Sequence, residues 1–260
     1  VVEYGNNQIR QITISTQQVS LLAGSSSGSS GSSNGVGTNA QFNGLTGIDI
    51  SSDGSYCLVA ENYLPTIRQV IISTKQVSLF AGSPSLTTGS SNGVGTNALF
   101  NYPQAITISS DSSFALVADN GNSQIRKIQI LLPPTSSPTT LPTYSPTAPT
   151  VQPTSTPTYN PSTPLLVSLF AGSTSTSGSS DGVGTNAFFY HLQAVSISPD
   201  GNYCLVADLN NNQIRKIIIS TQEVSLFAGS PSASSGSSNG VGSNSLFRTP
   251  VGIEISPDGT

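Results

Sequence analysis

The chain has 260 residues, only 8% of them charged, with a net charge of −4 and a pI of about 4.7. That balance lacks the clustered Lys and Arg with which proteins hold nucleic acid or an anionic membrane surface. No apolar run approaches the roughly 18 residues of a membrane helix, so no membrane insertion is expected within this stretch.

From the N-terminus, the chain reads as copies of one four-stranded unit. Residues 1–24 supply the end of a strand B, then strands C and D. Residues 47–82 form a complete unit, 105–172 a complete but interrupted one, and 194–229 another. Residues 252–256 begin a further copy with strand A, inside a partial blade 252–260. The clearest copy has apolar runs at 195–198, 203–207, 214–219 and 224–228. Each is of strand length, rich in β-branched and aromatic residues, and bounded by Gly, Pro, Asn, Asp or Ser.

Landmarks measure the period. Ile-Arg recurs at Arg10, Arg68, Arg126 and Arg215, with spacings of 58, 58 and 89. Ala-Gly recurs at Gly24, Gly82, Gly172 and Gly229, with spacings of 58, 90 and 57. A four-stranded unit with a fixed period of this size predicts an all-β propeller of antiparallel blades, because one such sheet cannot bury both faces alone. About four blade equivalents are present. Either the last strand A joins the first B–C–D set in a closed four-blade ring, or the chain is an arc of a longer array. The arc is the favoured reading, since the chain starts and stops within a hairpin, and the absence of any Met suggests a processed or excised chain.

The repeat includes Ser198-Pro199-Asp200-Gly201-Asn202-Tyr203-Cys204-Leu205-Val206-Ala207-Asp208, followed by an Asn-rich turn and Gln213-Ile214-Arg215-Lys216-Ile217. It is preceded by Asp181-Gly182-Val183-Gly184-Thr185-Asn186-Ala187-Phe188-Phe189. This pattern resembles NHL-repeat β-propellers, and the resemblance covers nearly all of the chain outside one insertion. It implies the fold strongly and the function weakly, because such propellers include binding modules, RNA binders and a few enzymes. The early copies depart from it: Glu3 and Glu61 stand where later copies have Asp119 and Asp208, and Leu64-Pro65 replaces the Asn-rich turn.

Long connectors join each D strand to the next A. Each opens with a Ser/Gly/Thr tract, read as flexible loop. Each then reaches a Gly pair, Gly35/Gly37, Gly93/Gly95, Gly182/Gly184 or Gly240/Gly242, read as turns with positive φ. The Phe that follows (Phe42, Phe100, Phe189, Phe247) is expected to plug the space between blades. Residues 132–164 form a Pro/Thr-rich insertion in a C–D turn, dividing the chain into propeller blades 1–131 and 165–260. Its prolines predict disorder of polyproline II character, up to roughly 100 Å long at about 3.1 Å per residue. Ser/Thr/Pro tracts of this kind suggest O-glycosylated stalks, hence an extracellular or cell-surface setting.

Most charge belongs to the repeat. An acid (Glu3, Glu61, Asp119, Asp208) lies seven residues before each Arg, and Asp53, Asp111, Asp200 and Asp258 fill the A–B turns. The first set is read as capping the B–C turn or pairing with Arg, the second as Asx turns. Cys57 and Cys204 share one strand-B position and are read as small buried residues, too far apart for a disulfide.

Positions that differ between copies carry the functional reading. After the connector Phe come Asn43-Gly44, Asn101-Tyr102, Tyr190-His191 and Arg248-Thr249, and the second B–C turn contains Tyr63. In a meander the D–A and B–C connections share one face, which predicts a binding face bearing Asn43, Tyr63, Asn101, Tyr102, Tyr190, His191 and Arg248. Its expected ligand is a protein or a glycan, and the expected role is a non-enzymatic scaffold with no cofactor. The alternative is a propeller hydrolase or lyase with a divalent metal in the central channel, on the strand-A slot Asp49, Thr107, Ser196 and Glu254. One His (His191) and no nucleophile motif or phosphate loop weigh against an enzyme. The acidic balance weighs against RNA.

Overall fold

The computed structural model describes residues 1–130 and 165–259. The insertion at 132–164, expected to be disordered, lies outside the described residues. Four antiparallel sheets follow one another along the chain. Blade I contains β1 (Val2–Glu3), β2 (Gln8–Thr13) and β3 (Gln18–Ala23). After β4 (Gly35–Val36), blade II contains β5 (Leu45–Ile50), β6 (Tyr56–Glu61), β7 (Thr66–Ile71) and β8 (Gln76–Ala81). After β9 (Gly93–Val94), blade III contains β10 (Pro103–Ile108), β11 (Phe114–Asp119), β12 (Gln124–Gln129) and β13 (Leu166–Ala171). After β14 (Gly182–Val183), blade IV contains β15 (Leu192–Ile197), β16 (Tyr203–Asp208), β17 (Gln213–Ile218) and β18 (Glu223–Ala228).

Each complete blade has a fifth strand that the sequence pattern did not predict. β4 pairs with β8, β9 with β13 and β14 with β18. A connector thus reaches the outer edge of the blade it precedes before it turns in to strand A. The pairing blunts an edge that would otherwise present unpaired N–H and C=O groups. Only part of the Gly-pair expectation holds. Gly37, Gly95, Gly184 and Gly242 take φ between 53 and 56°. Gly35, Gly93 and Gly182 instead allow close approach: a Cβ on Gly182 would lie 2.7 Å from the Asn186 carbonyl oxygen.

Apolar residues meet between blades rather than within them. Phe42, Phe100 and Phe189, all fully buried, plug the three spaces as expected, whereas Phe247, expected to do the same, is only partly buried and joins no core cluster. A bulge in each D strand, between the partners of Ile67 and Arg68 and their equivalents, turns Phe80 or Phe170 forward onto the next blade. Cys57 and Cys204 are free and buried, and burial pushes the Cys57 thiol up to about 12 and the Cys204 thiol higher. Residues 252–256, expected as strand A, join no ladder among the described residues.

Candidate functional site: an aromatic face held by buried ion pairs

The repeated acid and arginine form the foundation of this face. Arg68, Arg126 and Arg215 are among the largest fully buried side chains. Arg126 Nη1 lies 3.2 Å from Asp119 Oδ2 and also donates to the Leu99 carbonyl at 2.9 Å. Its Nη2 donates to the Ser91 carbonyl at 3.0 Å and to Asn92 Oδ1 at 2.9 Å, and the guanidinium stands 5.4 Å from the Phe100 ring centroid. Arg68 and Arg215 repeat the arrangement, Arg215 with Asp181 as well as Asp208. The arginine therefore ties the Ser-rich connector down. Backbone bonds such as Gly89 N–H to the Phe100 carbonyl at 3.0 Å and Leu99 N–H to the Ser91 carbonyl at 3.0 Å do the rest. The connectors, expected as flexible loops, are tied at this point to the core, where their carbonyls accept the Nη2 donors of the buried guanidiniums.

The acids do both things expected of them and one more. Asp119 accepts from Arg126 and from the side chain of Asn122 in the B–C turn, the latter at 2.8 Å. Its other oxygen accepts the backbone N–H of Asn101 at 2.8 Å. Asp208 likewise holds Tyr190 N–H at 2.8 Å, and Glu61 holds Asn43 N–H at 2.9 Å. Burial pushes the Asp119 and Asp208 carboxyls up to about 6 and raises that of Glu61, opposed by the arginine and the N–H donors.

Those clamped residues are the ones that vary between copies, and the residue after each has an unusual backbone. Tyr102, His191 and Thr249 have φ of 51, 59 and 48°, in the left-handed region, where the equivalent residue of blade II is Gly44 at 73°. Side-chain oxygens from the preceding blade accept their N–H groups: Asn7 for Gly44 and Asn212 for Thr249 at 2.9 Å, Ser123 for His191 at 3.2 Å. Pro65 occupies that place before Tyr102, and proline offers no side-chain acceptor.

The result is a row of exposed aromatics on the face carrying the D–A and B–C connections. Tyr63 is 56% exposed, Tyr102 48% and Tyr190 41%. Tyr190 and His191 pack edge to face with ring centres 5.1 Å apart, beside a cleft of about 320 Å³ lined also by Gly121–Ser123 and the 173–177 connector. The lining is hydroxyls, amides and two aromatic rings, with no carboxylate or cationic Lys/Arg. The phenol of Tyr4, in the first B–C turn on the same face, donates to Tyr63 Oη at 2.6 Å, and that bond raises the Tyr4 pKa above its ordinary value. In blade II the aromatic comes from the B–C turn and its partner slot is Gly, where a Cβ would meet Tyr63 Cδ2 at 2.8 Å unless the ring moved. In blades III and IV the slot itself supplies the aromatic. Asn43 and Asn101 contribute backbone anchors, and Arg248 is exposed on the last connector.

In the channel, Asp49 Oδ2 accepts Ile108 N–H at 2.7 Å and Oδ1 accepts Ile50 N–H at 2.8 Å. Ser196 Oγ accepts Ile255 N–H at 3.2 Å. This slot stitches one inner strand to the next. Burial, then the charge of Asp49, raises the Glu254 carboxyl. Among the described residues no three His, Cys, Asp or Glu side chains cluster as metal ligands, and no helix is long and apolar enough to cross a membrane.

No family model matches the chain. A curated relative, NHL repeat-containing protein 2 of Bos taurus, is 26% identical over 195 residues, covering 72% of this chain and 22% of that protein. An auxiliary nutrient binding protein from Bacteroides thetaiotaomicron VPI-5482 superposes with a TM-score of 0.64 at 12% identity, over 99% of this chain and 50% of its own. A second, from Bacteroides ovatus ATCC 8483, gives 0.58 at 13% identity, over 95% and 53%. The chain thus spans about a fifth of the curated relative and about half of each solved neighbour. The recurring signature, the blade topology and the curated relative agree: the chain is a run of β-propeller blades, and its repeat is similar to the NHL repeat.

Proposed function

We propose that this chain is a non-enzymatic propeller scaffold that recognises a protein or glycan through the face bearing the D–A and B–C loops. The observation that carries the reading is the aromatic row, Tyr63, Tyr102, Tyr190 and His191, presented on backbone that the buried acid–arginine pairs hold still. Exposed tyrosines offer an apolar face and a hydroxyl together, the chemistry favoured in recognition surfaces. Tyr102 and His191 keep bulky side chains where glycine fits best, and strain of that kind gathers at functional positions. The hydroxyl-lined cleft beside Tyr190 suits a polyhydroxylated ligand. The solved neighbours named as nutrient binding proteins are in keeping with ligand binding, and an extracellular setting would bring such ligands within reach.

The test is a glycan array probed with the native chain, followed by titration of each hit against Tyr102→Ala, Tyr190→Ala and His191→Ala. Panels of purified extracellular proteins form the second arm. The expected result is a ligand whose Kd rises at least tenfold in one or more variants that melt within a few degrees of the native chain. Hits bound equally well by all three variants would overturn the assignment of this face.

A further inference from the structure

Strand C opens on a glutamine in blades I, III and IV, Gln8, Gln124 and Gln213, and on Thr66 in blade II. Each glutamine donates its Nε2 to the carbonyl of the serine that follows the Ala-Gly landmark: Ser25 at 2.7 Å, Ser173 at 2.9 Å and Ser230 at 2.7 Å. In blades I and IV the same carbonyl also accepts a turn N–H, from Gly28 and Ala233. Blade II keeps the turn bond, Leu86 N–H to the Ser83 carbonyl at 3.0 Å, and lacks the amide. Thr66 is too short to reach and gives its hydroxyl to Glu61 Oε2 at 3.0 Å instead. Beside it lies a cavity of about 110 Å³, lined by Thr66, Arg68, Leu79 and Leu86 with Ser32 and Asn34 of the preceding connector.

Blade II departs from the repeat a second time at this cavity. Leu86 stands where the other blades have Gly28, Thr176 and Ala233. It holds φ at 59°, in the region where Gly28 sits at 73°, and its side chain is 37% exposed. A large apolar residue in that region carries strain, and here it walls the space beside the shortened side chain. Arg68 borders the same space. Both its Nη groups are bonded, while Nε, as in the other repeat arginines, is buried with no hydrogen-bond partner among the described residues.

We infer that this cavity is a subsite for the acetamido group of an N-acetylated sugar. The inference rests on the glycan reading of the face bearing the D–A and B–C loops, since the lining comes from two D–A connectors and the residues just past a B–C turn. An acetamido group carries the three complements required. Its N–H replaces the missing glutamine amide at the Ser83 carbonyl, its C=O accepts from Arg68 Nε, and its methyl meets Leu79 and Leu86. A sugar hydroxyl at the same carbon has neither the carbonyl nor the methyl, and a site built to hydrogen-bond one group rejects an analogue without it.

The probes are tri-N-acetylchitotriose and cellotriose, the same trisaccharide frame without acetamido groups, titrated into the full chain by calorimetry. The first should bind at least about tenfold more tightly. Thr66→Gln restores the residue of the other blades, and blade I already pairs Glu3 with Gln8, so this variant should melt at or above the native temperature. It should weaken binding of the acetylated probe at least about tenfold. Leu86→Gly, the residue of blade I, removes the apolar wall at a partly exposed position and should weaken binding too. Equal affinity for the two sugars, binding of neither, or undiminished binding to Thr66→Gln would overturn the subsite. Loss of binding in Tyr102→Ala, Tyr190→Ala or His191→Ala with full binding to Thr66→Gln would reject the cavity and keep the aromatic face. Loss in Thr66→Gln with full binding to those three would keep the cavity and reject the face.

Discussion

The slot after each clamped residue gives a sharp test of the link between strain and recognition. Tyr102 sits at φ 51°, and among the described residues its exposed ring has no counterpart like the Tyr190–His191 pair. For an L-residue the left-handed region costs about 1–2 kcal/mol, which Tyr102→Gly removes. Against this stands the extra freedom of glycine in the unfolded chain, about 0.4–1 kcal/mol. The side chain is about half exposed, so little buried contact is lost. The expected net is a gain of about 0.5–1 kcal/mol in urea unfolding. His191→Gly should come out near neutral, because the edge-to-face contact with Tyr190, worth about 0.5 kcal/mol on a half-exposed surface, goes with the ring. The reverse change, Gly44→Ala, should lose about 1–3 kcal/mol, since its φ of 73° is compounded by Tyr63 Cδ2 at 2.8 Å from the new Cβ. Both Tyr102→Gly and His191→Gly should weaken ligand binding. If Tyr102→Gly lowers stability by more than about 1 kcal/mol, the tyrosine is a structural part and the link from strain to recognition fails.

The foundation of the face carries further expectations. Arg126→Met leaves Asp119 buried without its cation and should cost about 3–5 kcal/mol, whereas Arg10→Met, at a pair 30% and 31% exposed, should cost under about 1 in chemical denaturation. The raised carboxyls of Asp119, Asp208 and Glu61 mean that the folded chain binds protons more readily than the unfolded one. The contribution of Asp119 and Asp208 to stability is full below the unfolded carboxyl pKa of about 4 and is lost as pH rises through about 6, and Glu61 acts in the same direction, so the urea midpoint should be higher at pH 5 than at pH 8. Asp119→Asn should flatten that slope, and a midpoint falling from pH 8 to 5 would contradict the assigned direction. Cys57 and Cys204, with thiols raised by burial, should ignore a thiol reagent at pH 8 until the chain is unfolded.

The blades were legible because each strand carries its own local signal, and the signal returns every 58 residues or so. The fifth strand was not, since Gly-Val is too short to show a period and its partner lies some 40 residues on, in β8 for β4. Ile-Arg served as a landmark for counting, yet nothing local says that Arg68 reaches carbonyls at 33 and 41, because those contacts exist only once the connector has folded back. The site was legible in a different way. Comparing copies within one chain separates residues the fold requires from residues it tolerates, and Tyr63, Tyr102, Tyr190 and His191 emerged as the latter. The hydrogen bond from Tyr4 to Tyr63 was not legible, because it joins residues 59 apart.

That separation has a structural basis. The acid fixes the backbone of residue 43, 101 or 190 through one N–H, the arginine fixes the connector that delivers it, and the Phe just upstream is sealed between blades. None of these contacts involves the side chain of the residue that comes next. The fold therefore constrains where Gly44, Tyr102, His191 and Thr249 stand, and their left-handed backbone, but not which side chain they present. Substitution at Tyr102, His191 or Thr249 changes the surface at an energetic cost near 1 kcal/mol, small against the about 3–5 kcal/mol lost when one partner of a buried ion pair is removed. Near-identical blades can in this way carry a non-identical face, and an asymmetric ligand can be read by a repetitive frame.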